Sequence, residues 1–124
     1  MEMINVPGAA AAIGPYSHCV KTGDLLFASG QIPVDASGNI VGKSIAEQAP
    51  QALANVETIL KGVGLGKKNI VKVTVYLTNL DDFATFNTLY GDFLGDHRPA
   101  RTTVEISRLP KGALIEVDVI ASFK

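Results

Sequence analysis

PARTTVEISRLPKGALIEVDVIA, residues 99–121, decides how the chain is read. It divides into two short strands joined by a polar connection that carries Gly112. In the first strand Arg101 and Thr103 alternate with Thr102, Val104 and Ile106. In the second, Ile115, Val117, Val119 and Ala121 alternate with Leu114, Glu116, Asp118 and Ile120. Strict alternation marks a sheet with two unlike faces. Each strand also carries a charge that a plain core strand does not need, Arg101 in one and Glu116 in the other.

Working outward, IVKVTVYL at residues 70–77 is the clearest strand. Val71, Val73, Val75 and Leu77 read as its apolar face, and Ile70, Lys72, Thr74 and Tyr76 as its mixed one. It is followed by a helix from about Asp81 to Leu94, capped by Asn79 with Asp82 or by Thr78 with Asp81. Leu80, Phe83, Ala84, Phe86, Leu89, Tyr90 and Phe93 form that helix's stripe and read as core. An earlier helix opens at Ser44-Ile45-Ala46-Glu47, a capping box, and stops at Gly62 and Gly64. Upstream, His18–Thr22 and Leu25–Ser29 flank Gly23-Asp24 as a hairpin. A third short strand is expected at Gly38–Val41. The order ββ(β)αβαββ predicts an α+β domain over residues 1–124, a mixed sheet covered on one face by two helices.

Two helices cover only one face. The uniformly apolar residues belong beneath them. The open face is then expected to carry Arg101, Thr103, Glu116, Leu114, Ile120, Lys72, Thr74 and Tyr76. Such a mixed face fits a protein partner or a ligand cleft, which points to a homo-oligomer with Arg101 and Glu116 at the subunit boundary.

Composition narrows the function. The chain has 124 residues, a net charge of −1 and no long basic run. No nucleic-acid partner is expected, because phosphate binding needs clustered cations. No apolar stretch is long enough for a membrane span and no secretory signal is apparent, so a cytoplasmic protein is expected. Cys19 is alone and reads as a buried thiol. His18 and His97 lack metal-type spacing, so no metal site is expected. No dinucleotide, phosphate-loop or nucleophile-elbow motif is present.

Each candidate has an ordinary reading beside its chemical one. Arg101 could pair with Glu105, Glu116 or Asp118, or grip a carboxylate with its planar fork. Glu116 could be a solvated strand residue or an arginine's partner, or it could orient or deprotonate a water. Tyr16, after Gly14-Pro15, could anchor a turn or line a cleft. Ser29-Gly30 could end a strand or admit a ligand close to the backbone. Asn87 reads as a surface or local-bonding residue. From the residues alone, the chain is an oligomeric α+β protein with an interface cleft for a carboxylate-bearing ligand.

The motifs add more. Pro99-Ala100-Arg101-Thr102-Thr103-Val104, Leu109-Pro110-Lys111-Gly112-Ala113, Ile115-Glu116-Val117 and Ile120-Ala121 closely resemble the carboxy-terminal signature of the RidA/YjgF family of reactive imine and enamine deaminases. Ile13-Gly14-Pro15-Tyr16, Ser29-Gly30-Gln31-Ile32-Pro33 and Leu80-Asp81-Asp82-Phe83 with Asn87 and Tyr90 match too. The resemblance implies a chorismate-mutase-like fold and a homotrimer packed through its sheets, with clefts between subunits. It implies cofactor-free hydrolysis of 2-imino or enamino acids, such as 2-iminobutanoate and 2-iminopropanoate, to 2-keto acids and ammonia. Such imines are released by pyridoxal-phosphate enzymes such as threonine dehydratase. On the matching positions Arg101 would bind the substrate carboxylate and Glu116 would position the water. Tyr16, Ser29, Gly30, Asn87 and Thr103 would line the cleft, Thr103 through its main chain, since some relatives have cysteine there. The alternative is a trimeric keto-acid-binding or regulatory protein without important turnover. A ribonuclease or translation-inhibitor role finds no histidine pair or basic stripe to carry it.

Overall fold

The computed structural model describes residues 1–124. Six strands, β1 (Glu2–Ile4), β2 (Cys19–Thr22), β3 (Leu25–Ala28), β4 (Ile70–Leu77), β5 (Ala100–Glu105) and β6 (Ile115–Ser122), form one sheet in the order β1-β2-β3-β6-β4-β5. Every neighbouring pair is antiparallel except β4 and β5, which run parallel. The two strands of the opening stretch are therefore not neighbours, because β4 lies between them. The fold is the expected α+β arrangement.

Helices α1 (Ile45–Gly62) and α2 (Phe83–Leu94) supply the covering layer. At the start of α1 the Glu47 N–H donates to Ser44 Oγ at 3.3 Å, and Ser44 Oγ donates to Glu47 Oε1 at 3.0 Å. The Glu47 carboxylate also takes the Lys43 N–H. Those bonds satisfy donors that a bare helix start would leave open. Asn79 caps the 3-10 turn Leu80–Asp82 that leads into α2, its side chain accepting from the Asp81 N–H.

The covered face consists of Leu26 on β3, Val73, Val75 and Leu77 on β4, and Ile115, Val117, Val119 and Ala121 on β6. All are buried against Ala49, Leu53, Val56, Leu60 and Phe86 of the helices. Each fully buried Leu, Ile, Val or Phe side chain contributes about 1.5–3 kcal/mol, so this parity of alternation determines which face the helices take.

Two expectations need correction. A bulge between Ile70 and Lys72 inserts Val71 into β4. Ile70 therefore turns into the core at 3% exposure, while Val71 faces out at 47%. One extra residue reverses the parity on its far side. The third strand expected at Gly38–Val41 does not form; only an isolated bridge links Val34 and Ile40. Asp35 instead closes a turn there, its carboxylate accepting from the Ser37 and Asn39 N–H groups. Cys19 is buried, as expected, and burial pushes its thiol up. No helix is long and apolar enough to cross a membrane.

Candidate active site

Glu116 sits on central strand β6, opposite Tyr76 of β4, and Asp118 stands two residues on, opposite Thr74. Both carboxylates lie on the open face, because Val117 between them points into the core. Burial pushes the Glu116 carboxyl above the ordinary carboxylate range, and the neighbouring charge of Asp118 pushes it the same way. Burial also raises Asp118, against the pull of a Tyr76 hydrogen bond, Lys72 and Thr74. A carboxyl raised in this way is better matched to moving protons near neutral pH.

The chain after β3 runs beside β6. The Gln31 N–H donates to Val117 O at 2.8 Å and the Val117 N–H returns a bond to Gln31 O at 3.0 Å. This lays Gly30 beneath the Glu116 carboxyl. A Cβ at residue 30 would stand 2.7 Å from both Cδ and Oε2 of Glu116. A side chain at residue 30 would have to push that carboxyl aside. Tyr16 and Ile13 form the opposite wall of the same concavity, with Ser29, Ile32 and Pro110. The Tyr16 hydroxyl accepts from the Ile13 N–H at 3.3 Å and its ring is partly exposed. The Ser29 hydroxyl is committed to the Ser17 carbonyl at 2.7 Å. The structure thus brings together Tyr16, Ser29, Gly30 and Glu116.

Arg101 is elsewhere. It lies on edge strand β5 in register with Val73, whose side chain is in the core. Arg101 and Thr103 are therefore on the helix-covered side, contrary to the open-face expectation. The guanidinium lies under α2, where it donates to Asn87 Oδ1 at 2.8 Å. Its Cζ is 4.9 Å from the Tyr90 ring centroid, 5.4 Å from that of Phe83 and 5.7 Å from that of Phe86. Arginine suits such a site because it is weakly hydrated and stacks on aromatic faces. Arg101 makes no ion pair. The chain's three salt bridges are Lys61–Glu57, Lys67–Glu57 and Lys124–Asp24, so the ordinary ion-pair reading of Arg101 does not hold.

Thr103 shares a shallow concavity with Arg101, Leu80 and Phe83. The buried side-chain polar atoms without a partner are two, the hydroxyls of Thr103 and Tyr90. Both residues adjoin Arg101. Burial raises the Tyr90 hydroxyl, while the charges of Arg101 and Arg98 pull it back.

The candidate residues therefore form two half-sites. Arg101 is level with Val73 of β4, and Glu116 is level with Tyr76, three residues along. Two strand spacings across and three residues along put their Cα atoms roughly 14 Å apart. Their side chains then leave opposite faces of the sheet.

The part of α2 in the setting of Arg101 is only half visible in the sequence. Phe83, Phe86, Asn87 and Tyr90 follow the i, i+3, i+4, i+7 spacing of one helical face. That spacing was a usable signal that Asn87 faces inward rather than out to the surface. Asp118 was likewise readable as a neighbour of Glu116 from alternation. No group of three or more His, Cys, Asp and Glu side chains converges anywhere.

Residues 7–123 match the family model described as endoribonuclease L-PSP. The chain belongs to the RidA/YjgF family. It is 45% identical over 123 residues to the 2-iminobutanoate/2-iminopropanoate deaminase of Salmonella typhimurium, covering 97% of this chain and 96% of that protein. A relative from Pyrococcus horikoshii, 46% identical over 121 residues with 97% and 96% covered, is named a RutC family protein. Among solved structures, the YjgF gene product of Escherichia coli superposes with a TM-score of 0.93 at 42% identity, covering all of both chains. Escherichia coli TdcF with bound serine superposes at 0.92 and 40% identity, covering 98% of each. The RidA/YjgF fold accounts for the six-stranded sheet and both helices.

Proposed function

We propose that the protein hydrolyses 2-imino or enamino acids, such as 2-iminobutanoate and 2-iminopropanoate, to 2-keto acids and ammonia. The reaction takes place in clefts between subunits of a homotrimer. One subunit contributes Arg101 and its α2 setting, and its neighbour contributes Glu116, Gly30 and Tyr16. The observation that carries this reading is the separation of the half-sites. A small imino acid cannot span two faces of one sheet, so a complete site needs two copies. The open face supports such packing, since Met3, Leu25, Phe27 and Val104 are exposed on strands of the sheet. Strand β5 also leaves its outer edge unpaired, and exposed edges invite pairing. The relatives named as deaminases and the relative holding serine support the substrate class.

The chemistry follows from these side chains. Arg101 holds the carboxylate through two N–H donors, with Asn87 fixing the plane of the fork. Thr103 supplies main-chain contacts beside it. Glu116 accepts a proton from water as the water oxygen bonds to the imine carbon. It then returns that proton to the nitrogen. The C–N bond breaks as the hydroxyl gives its proton to Glu116, the oxygen becomes the keto oxygen, and Glu116 passes the proton to the departing ammonia, which leaves as ammonium. A protonated imine is electrophilic enough for this without a cofactor, and positioning supplies the rest.

The test generates 2-iminobutanoate in place with a dehydratase and follows its decay. Wild type should accelerate the decay. Arg101→Ala should lose about a hundredfold in kcat/KM, the worth of two charge-assisted bonds. Glu116→Gln should bind 2-oxobutanoate normally and lose turnover. Binding by wild type without any turnover would favour the keto-acid-binding alternative.

A further inference from the structure

We infer that His18 is a positioning residue for the Glu116 half-site, the latch that holds the Asn5–Tyr16 segment as the wall of the cleft. The inference rests on the cleft reading above for its link to catalysis, but its structural basis is independent.

Residues 5–16 contain no helix or strand. Every hydrogen bond from this segment to the rest of the chain ends on His18. The Val6 N–H donates to His18 Nδ1 at 2.9 Å. His18 Nε2 donates to the Ala10 carbonyl at 2.9 Å. The His18 main-chain N–H donates to Asn5 Oδ1 at 3.2 Å. The segment's remaining bonds are internal: Ala9 to Val6, Tyr16 to Gly14, and Ile13 to the Tyr16 hydroxyl. Apart from these, Val6 is packed against Gly62 at the end of α1, leaving no room for a side chain there.

One nitrogen accepting and the other donating defines a neutral ring with its proton on Nε2. His18 is buried, at 7% exposure, so neither bond is readily replaced by water. His18 is itself anchored, since its carbonyl accepts from the Ser29 N–H at 3.0 Å. That bond ties the latch to the residue preceding Gly30, the floor under Glu116. His18 thus connects the floor of the concavity to the segment bearing Tyr16 and Ile13, its wall. A metal ligand or a proton carrier would have a ring nitrogen free, and His18 has none.

Three variants test this. His18→Ala removes both bonds, His18→Gln keeps one acceptor and one donor, and Tyr16→Phe assigns the signal. The protein has three tyrosines, so fluorine NMR of 3-fluorotyrosine-labelled protein can report Tyr16 directly. In His18→Ala the Tyr16 resonance should move or broaden, and the Val6 amide should lose protection from hydrogen exchange. KM for the imino acid should rise on the order of tenfold with kcat nearly kept. His18→Gln should restore all three. An unmoved Tyr16 resonance in His18→Ala overturns the latch, with or without turnover. A moved resonance with an unchanged KM, or a fall confined to kcat, overturns its role in positioning the cleft. Absence of imine turnover in wild type overturns the deaminase reading and leaves the resonance and exchange results to decide the latch.

Discussion

Arg101→Ala and Glu116→Gln should each inactivate the protein and yet restore activity when combined in one oligomer. Arg101 is on the helix-covered side of edge strand β5, and Glu116 is on the open face of β6. If each cleft takes its arginine from one copy and its glutamate from the next, a cleft is intact only in one orientation. Its arginine must come from a Glu116→Gln chain and its glutamate from an Arg101→Ala chain. In a ring of three copies holding both kinds, whether two to one or one to two, one junction meets that condition. Co-expression with two different tags and sequential purification on both tags isolates such mixed oligomers. Their imine turnover should be about one third of wild type. A two-fold dimer with two clefts would give about one half, so the recovered fraction also reports the ring size. Recovery no greater than that of the parent variants would refute the two-copy cleft.

Two further predictions concern the glutamate itself. Glu116 must be ionised to accept a proton, and its folded pKa is raised, so kcat should fall as pH drops through a value above the ordinary carboxylate range. Asp118→Asn removes one of the two causes, and the acid limb of the kcat profile should move to lower pH; an unmoved limb would show that Glu116 does not control it. Gly30→Ala puts a Cβ 2.7 Å from the Glu116 carboxyl, and that carboxyl is the free end of a flexible side chain that can swing aside. The variant should therefore unfold within about 1 kcal/mol of wild type while losing between ten- and a hundredfold in kcat; normal turnover would show that the placement of the carboxyl over Gly30 is not needed.

The elements were readable because local physics dominates them. The Ser44–Glu47 box, the alternation of β6 and the aromatic spacing of α2 each report burial within one segment. The misplacement of Arg101 has a different origin. Alternation separates a strand's residues into two sets, but the set that faces the helices depends on register with a neighbouring strand. On β6 the purely apolar set settles the matter. On β5 both sets are mixed: Thr102 and Val104 face the open side, and Arg101 and Thr103 face α2. Reading Val104 as core reversed the strand. Val71 misleads in a similar way, because a bulge leaves no mark in an unbroken run of β-branched residues. Strand β1 is not legible in the sequence, because three residues are too few to show a period. Four of the residues singled out, Tyr16, Ser29, Gly30 and Glu116, line one concavity. Arg101, Asn87 and Thr103 also lie near one another, but on the helix-covered side of the sheet.

The aromatic setting of Arg101 has an electrical consequence. Phe83, Phe86 and Tyr90 occupy one side of the guanidinium, so little water can gather there. Against such a low-dielectric wall the field of the cation is directed outward through its remaining open side. An approaching carboxylate meets a charge that is already partly dehydrated, and has less solvent to displace than at an exposed lysine. The stripe of rings that joins α2 to the sheet thus also shapes the potential around Arg101. Trimming one ring would change the reach of that charge as well as the packing around it.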